Sequence, residues 1–118
     1  MLPSRHKLSS SDEFRRTIRK GKRAGRSTVV IHLRTHATAG EIAAVGGPRF
    51  GLVVSKAVGN AVTRHAVSRK LRHVLMGIKD QIPQDAHIVV CALPPAATAT
   101  SKELEADVRS GVEKLLLR

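Results

Sequence analysis

The sequence has almost no aromatic residues, with two Phe and neither Trp nor Tyr among its 118 residues. A hydrophobic core must therefore be built from Val, Leu, Ile and Ala. The hydrophobic content of the whole chain, 42%, is sufficient for one modest domain. Helices that bind membrane surfaces favour Trp, Phe and Leu on their apolar face, so the scarcity of aromatics argues against that partner. We expect a single domain over residues 1–118.

Cysteine is equally scarce, since Cys91 is the only one. A single Cys excludes a disulfide within the chain, and no pair of neighbouring Cys is present to bind zinc. Cys91 lies within the apolar run of residues 88–93, where a small buried hydrophobic residue is expected rather than a catalytic thiol.

Long apolar segments are missing as well. No run approaches the roughly 18 residues that span a membrane, and the first residues lack the hydrophobic segment of a signal peptide. We therefore expect a cytoplasmic protein with no membrane partner.

Groups arranged for catalysis are also absent. Cleavage of a phosphodiester by protein groups needs carboxylates clustered around metal ions, or an acid and a base at a fixed spacing. The nine carboxylates and six His are scattered along the chain without such a spacing. The sequence therefore predicts no catalytic residue and no metal ligand, which is typical of a binding module.

Positive charge, in contrast, is abundant. The chain has 21 Lys and Arg against nine Asp and Glu, a net charge of +12 and a pI near 11.3, which favour nucleic acid as the partner. From Gly51 to Lys79 there is no carboxylate at all, whereas this interval contains Lys56, Arg64, Arg69, Lys70, Arg72 and Lys79. A solvated helix face normally alternates the sign of its charges, so this run indicates an external polyanion.

The same interval predicts a helix with two different faces. Asn60, after Gly59, is a good N-cap. At about 100° per residue, one arc of the helix is apolar and contains Val67, Leu71, Val74, Leu75 and Ile78. The adjoining arc contains Arg64, His65, Ser68, Arg69 and Arg72.

The remaining elements follow from capping and periodicity. Residues 10–13 form a capping box that begins a first helix, which ends at Gly21. Residues 27–35 alternate as a half-buried strand, with Val29, Ile31 and Leu33 on one side and His32 and Arg34 on the other. A mostly apolar strand at 49–55 is expected to be central, a short strand is possible at 42–45, and a buried strand follows at 87–93.

The last helix begins near Thr100, with an apolar side formed by Leu104, Val108, Val112, Leu115 and Leu116. Its charges are mixed in sign, which indicates an outer face exposed to solvent. The predicted order is α-β-β-(β)-α-β-α, an α+β two-layer sandwich, preceded by an extended basic segment at residues 1–9.

Residues 54–72, Val-Ser-Lys-Ala-Val-Gly-Asn-Ala-Val-Thr-Arg-His-Ala-Val-Ser-Arg-Lys-Leu-Arg, resemble the signature of the bacterial ribonuclease P protein subunit. Leu8, residues 12–14 and residues 20–21 also match that family. His65, Ala66 and Ser68 stand where the family usually has Asn, Arg and Lys. The arginines at positions 64, 69 and 72 follow the pattern.

The resemblance implies a left-handed βαβ crossover and a chain that helps a catalytic RNA to remove the 5′ leader from precursor tRNA. Catalysis would belong to that RNA, which would also hold most of the Mg²⁺, while the protein raises the affinity for substrate and metal ions. RNA contacts would come from Lys56, Asn60, Arg64, His65, Ser68, Arg69 and Arg72. A cleft for the single-stranded leader would include Phe14, Arg15, Ile18 and Ile31.

Two other classes of RNA or DNA binder are compatible with a basic chain. One is a ribosomal or other structural RNA-binding protein without a ribozyme partner. The other, a double-stranded DNA binder, would need a recognition helix near a turn and a dimer interface, and the sequence shows neither. Under the ribonuclease P interpretation, we expect a monomeric protein in a 1:1 complex with the RNA.

Overall fold

The computed structural model describes residues 11–35, 48–83 and 86–116, except for the side chains of Ser11 and Glu13. The predicted segment 1–9, the first capping box and the possible strand at 42–45 lie outside these residues. The helices and strands are α1 Ser11–Lys20, β1 Lys22–Gly25, β2 Val29–Thr35, β3 Arg49–Val53, α2 Ala61–Ile78, β4 Ala86–Ala92 and α3 Ser101–Leu116. Short 3₁₀ helices follow α2 and β4, at Lys79–Gln81 and Pro94–Ala97.

The four strands form one sheet in the order β1-β2-β4-β3. β2 pairs antiparallel with β1 and with β4, whereas β3 and β4 are parallel and are connected through α2. Among the described strands, β3 lies at the edge of this sheet, so the prediction that the strand at 49–55 is central was wrong. Its apolar residues are explained by the cover of helices rather than by a strand on each side. The left hand of the βαβ crossover stays a prediction.

The sequence analysis did not predict β1, and the structure shows why. Only Ala24 of its four residues is buried, so the strand has no apolar alternation. Pairing with β2, from Lys22 opposite Leu33 to Gly25 opposite Val30, holds it in the sheet. Backbone hydrogen bonds of this kind leave no signal in the side chains.

The main core lies between one face of the sheet and the helices α2 and α3. Val29, Ile31 and Leu33 point to this face, as the alternation predicted. The predicted stripe of α2 is fully buried, at Val67, Leu71, Val74, Leu75 and Ile78. On α3, Leu104, Val108, Val112 and Leu115 of the predicted apolar side are buried, whereas Leu116, at its end, is 37% exposed.

The opposite face of the sheet is covered by α1. A Cβ on Gly51 would overlap the ring of Phe14, so the ring lies directly on this strand. Thr17, one turn further along α1, is fully buried. The prediction of a half-buried β2 was therefore incomplete, because His32 and Arg34 on this second face are buried as well.

Helix α3 is fixed to the start of β2 by polar contacts. The backbone N–H and the hydroxyl of Thr28 both donate to one carboxylate oxygen of Asp107, at 3.1 and 2.6 Å. The guanidinium of Arg26 donates to the hydroxyl and the carbonyl of Ser110, at 2.7 and 3.2 Å. Asp107 thus has a structural role, and the prediction that all α3 charges only face solvent was wrong for this residue.

The predicted cap of α3 is confirmed. The N–H of Glu103 donates to the hydroxyl of Thr100, and the N–H of Thr100 donates back to the Glu103 carboxylate, at 3.1 and 3.0 Å. These hydrogen bonds to Thr100 lower the pKa of Glu103. In the described part of the chain, no helix is long and apolar enough to cross a membrane.

Candidate RNA interface

The turn between β3 and α2 presents two of the predicted RNA-binding residues. Gly59 has a φ of 159°, and a Cβ at this position would crowd the side chain of Thr63. Asn60 caps the helix, because its side-chain oxygen accepts a hydrogen bond from the N–H of Thr63 at 2.9 Å. Lys56 and Asn60 are both exposed, so they adjoin the first turn of α2 on the surface.

The second arc of α2 forms what we call the arginine face, which consists of Arg64, His65, Ser68, Arg69 and Arg72. His65 and Arg69 are exposed, and the other three residues are half-buried. The Nε atoms of Arg64 and Arg72 are buried and have no hydrogen-bond partner among the described residues. No acidic residue occurs in the first turn of α2. The positive charge of this face therefore has no partner within the described ranges.

Other cations have partners within the chain instead. Lys70, on the opposite flank of α2, donates to the carbonyl of Ala99 at 3.3 Å. Arg109 pairs with Glu105 at 2.9 Å, and Arg26 is bound to Ser110. The structure thus separates these cations from the arginine face.

A second candidate surface is formed by α1 and the sheet face beneath it, and we call it the α1 surface. Phe14 is half-buried against Gly51, and Ile18, one turn later, is 41% exposed. Arg15 is exposed and approaches Asp12 only at 4.0 Å, a pairing too loose and too solvated to neutralise it. These three predicted leader-binding residues therefore lie together on one helix.

Ile31, the fourth predicted leader-binding residue, does not lie on this surface, so its assignment was wrong. Its side chain is fully buried and would meet a Cβ on Gly111 of α3, on the other face of the sheet. The neighbouring residue, His32, points to the α1 side, in register with Arg23 and Val89. The alternation of β2 already placed Ile31 and His32 on opposite faces. The sequence therefore contained the signal that only one of them can face α1.

The sheet face below α1 combines uncharged side chains around His32 with Arg23, Arg34 and Arg49. Burial, and secondly the charge of Arg23, lowers the pKa of His32, which favours a neutral imidazole. Its Nδ1 has no hydrogen-bond partner within the described ranges. Cys91 is half-buried in register with Val30 and Val53, and burial raises the pKa of its thiol. A basic helix that presents the half-buried ring of Phe14 and the exposed Ile18 suits a single RNA strand, whose bases need apolar contact and whose phosphates need cations.

The described residues contain no group of three or more His, Cys, Asp or Glu that could hold a metal ion. The two surfaces are built from cationic, aromatic and aliphatic side chains. Their chemistry is that of binding a polyanion.

Comparison with known proteins gives consistent results along the whole chain. Residues 2–116 match the family described as Ribonuclease P. The "Ribonuclease P protein component" of Corynebacterium diphtheriae is 70% identical over 115 residues, which cover 98% of this chain and 97% of that protein. The protein of the same description from Rhodococcus opacus is 49% identical, over 98% of this chain and 92% of the relative.

Solved structures share the fold. The Staphylococcus aureus RNase P protein has a TM-score of 0.76 at 24% identity and covers 94% of both chains. The RNase P protein from Thermotoga maritima has a TM-score of 0.75 at 19% identity, over 92% of this chain and 96% of that one. At these identities the similarity shows a common architecture, which agrees with the α+β prediction.

Proposed function

The chain belongs to the ribonuclease P protein family and is a subunit of the complex that processes the 5′ leaders of tRNA, and we propose that it binds two RNAs through two separate surfaces. The arginine face binds the catalytic RNA, together with Lys56 and Asn60. The α1 surface binds the single-stranded leader of precursor tRNA. The ribosomal alternative is not supported, because the similar proteins are ribonuclease P components.

The fixed orientation and the unpaired charge of α2 support the proposed binding of the catalytic RNA. Helix α2 buries a complete apolar stripe, so its orientation is fixed, and the arginines of the adjoining arc have no ion-pair partner among the described residues. Repulsion between like charges on adjacent turns costs a few tenths of a kcal/mol per pair, which a bound phosphate backbone would offset.

The proposed binding of the leader depends on Phe14, one of only two aromatic residues in the chain. Phe50, the other, is fully buried in the core and cannot contact RNA. A base stacked on an aromatic ring gains roughly 1–3 kcal/mol, and the aliphatic Ile18 beside it offers less. We therefore expect leader binding to be centred on Phe14.

Catalysis belongs to the RNA in this proposal. We infer that Mg²⁺ is held mainly by the RNA, in keeping with the lack of a group of three or more possible metal ligands among the described residues. The protein raises the affinity for substrate and metal ions by placing positive charge between two polyanions. A net charge of +12 opposes self-association, which favours a monomer in a 1:1 complex. We place this complex in the cytoplasm, with its precursor tRNA substrate.

Reconstitution of the cognate RNA with the protein tests this proposal. We expect the protein to restore cleavage of precursor tRNA at low Mg²⁺, where the RNA alone is inactive, because the protein screens the repulsion between the two RNAs. The rate of 5′ leader release with and without protein is the measurement. Cleavage by protein freed of all RNA, or no rescue at any Mg²⁺ concentration, would contradict the proposal.

A further inference from the structure

Three residues of the arginine face lie in one row along α2, which we call the inner row. Arg64, Ser68 and Arg72 follow one another at intervals of four residues, and all three are half-buried. Neighbouring members of the inner row are therefore about 6 Å apart along the helix axis. The other two residues of the face, His65 and Arg69, are exposed and belong to a parallel row that is turned by about 100°.

The inner row presents donors that have no partner in the described part of the protein. Neither of its arginines forms an ion pair or a hydrogen bond there, and their Nε atoms are buried. The Ser68 hydroxyl is equally free, although a serine within a helix often donates to a carbonyl of the preceding turn. Ser110 of α3 does so, because its hydroxyl donates to the carbonyl of Asp107. Three free donor groups thus lie side by side on a helix whose orientation the core fixes.

Burial of the Nε atoms determines how far these arginines reach. An arginine with a buried Nε has its stem against the protein, so its terminal nitrogens lie closer to the helix surface than those of an extended side chain. The short side chain of Ser68, between the two arginines, can then contact the same ligand. This arrangement suits a chain of anions that runs along the helix. Two strands on either side of a groove would instead contact one arginine each and leave Ser68 over the gap.

We propose that the inner row binds three consecutive phosphates of one strand of the catalytic RNA, with Arg64, Ser68 and Arg72 each donating to one of them. This inference rests on the proposed function, because it specifies the ligand of the arginine face. Successive phosphates of an RNA strand are separated by nearly the same distance as neighbouring members of the row. Serine and arginine both donate to phosphate oxygens, which carry no sequence information. The inner row therefore fixes the position of the strand along α2 and does not select its sequence.

Ethylation of single phosphates in the catalytic RNA tests this inference. The full chain binds RNA that is ethylated at random, and the ethylated positions depleted from the bound fraction are mapped for the unchanged protein and for Arg64→Ala, Ser68→Ala and Arg72→Ala. Each variant should lose the interference at one phosphate. The three phosphates should be consecutive on one strand, in the order of the residues along α2. Lys102→Ala, at an exposed position of α3, is the matched control and should leave the pattern unchanged.

The salt dependence of binding gives a second readout. Ser68→Ala should lower the affinity roughly threefold to tenfold without changing the slope of log affinity against log salt, because the hydroxyl neutralises no charge. Arg64→Ala and Arg72→Ala should each reduce this slope by about 0.7 to 0.9.

The inference is overturned if the three variants lose interference at phosphates that are separated or lie on two strands, or if Ser68→Ala binds like the unchanged protein. In these cases the arginine face still binds the RNA, and the proposed function stands. If Arg64→Ala combined with Arg72→Ala retains full affinity and the complete interference pattern, both the inference and the proposed function of the arginine face fail.

Discussion

At the scale of single residues, the contact between Phe14 and Gly51 determines what α1 can offer to RNA. The ring lies on a strand position where only a glycine leaves room for it, and it is half-buried, so part of its surface remains accessible to a ligand. The ring therefore belongs both to the packing of α1 and to the proposed leader site. These two roles can be separated by experiment.

Phe14→Ala should weaken binding of precursor tRNA with a 5′ leader more than binding of mature tRNA, because only the leader would stack on the ring. The expected loss is roughly 1–3 kcal/mol, measured by titration of the reconstituted complex with both ligands. Gly51→Ala displaces the ring without removing it and should reduce the same preference for the leader. Equal losses for both ligands, together with a lower thermal midpoint, would instead assign Phe14 to the core alone.

His32 makes the stability of the fold depend on pH. Its folded pKa is lowered by burial and by Arg23, so the unfolded chain takes up the proton first as the pH falls through about 6.5. The contribution of His32 to stability is therefore complete above that pH and is lost as the pH falls toward the folded pKa. Between pH 7.5 and pH 5, the free energy of unfolding measured with urea should decrease less for His32→Gln than for the unchanged chain. An identical pH dependence of the two proteins would contradict this assignment.

Ile31 and His32 show which features of single residues could be predicted from the sequence. Alternation in β2 placed the two side chains on opposite faces correctly. The assignment of Ile31 to the leader site came from the resemblance, not from this pattern. Burial of both faces could not be predicted, because the cover that α1 provides depends on its packing against Gly51.

At the scale of elements, periodicity and capping predicted all three helices, and the apolar stripe of α2 was correct at each position. Strand β1 was missed because backbone pairing, rather than its side chains, holds it. The position of β3 within the sheet could not be predicted from the sequence either, because β3 is as apolar as a central strand. Asp107 could not be distinguished from its solvent-exposed neighbours because its partner, Thr28, is 79 residues away.

The contact between α3 and β2 gives a test at this scale. Asp107→Ala should lower the free energy of unfolding by about 1–3 kcal/mol, because the buried Thr28 loses the acceptor of its N–H and its hydroxyl. Urea unfolding monitored by circular dichroism is the measurement. Glu113→Ala, at an exposed position of the same helix, is the control and should change stability by no more than about 0.5 kcal/mol. An equally small effect at Asp107 would show that this contact does not hold α3.

At the scale of the whole molecule, the distribution of charge matters more than its total of +12. Some cations are bound within the fold, as Arg26 and Lys70 are, and these cannot neutralise phosphates without breaking a contact. Those of the arginine face have no such partner among the described residues. We therefore propose that a small subset of the positive charge, on one side of α2, binds the catalytic RNA.

The salt dependence of the affinity for the catalytic RNA distinguishes this subset from the remaining positive charge. Each phosphate contact contributes roughly 0.7 to 0.9 to the slope of log affinity against log salt. Replacement of Arg64, Arg69 and Arg72 by Ala should therefore reduce the slope by about 2 to 3 and lower the affinity, with a nearly unchanged thermal midpoint. Ser68→Lys should steepen the slope. A triple variant that binds with unchanged affinity and unchanged slope would show that the arginine face does not bind the catalytic RNA and that the binding surface lies elsewhere.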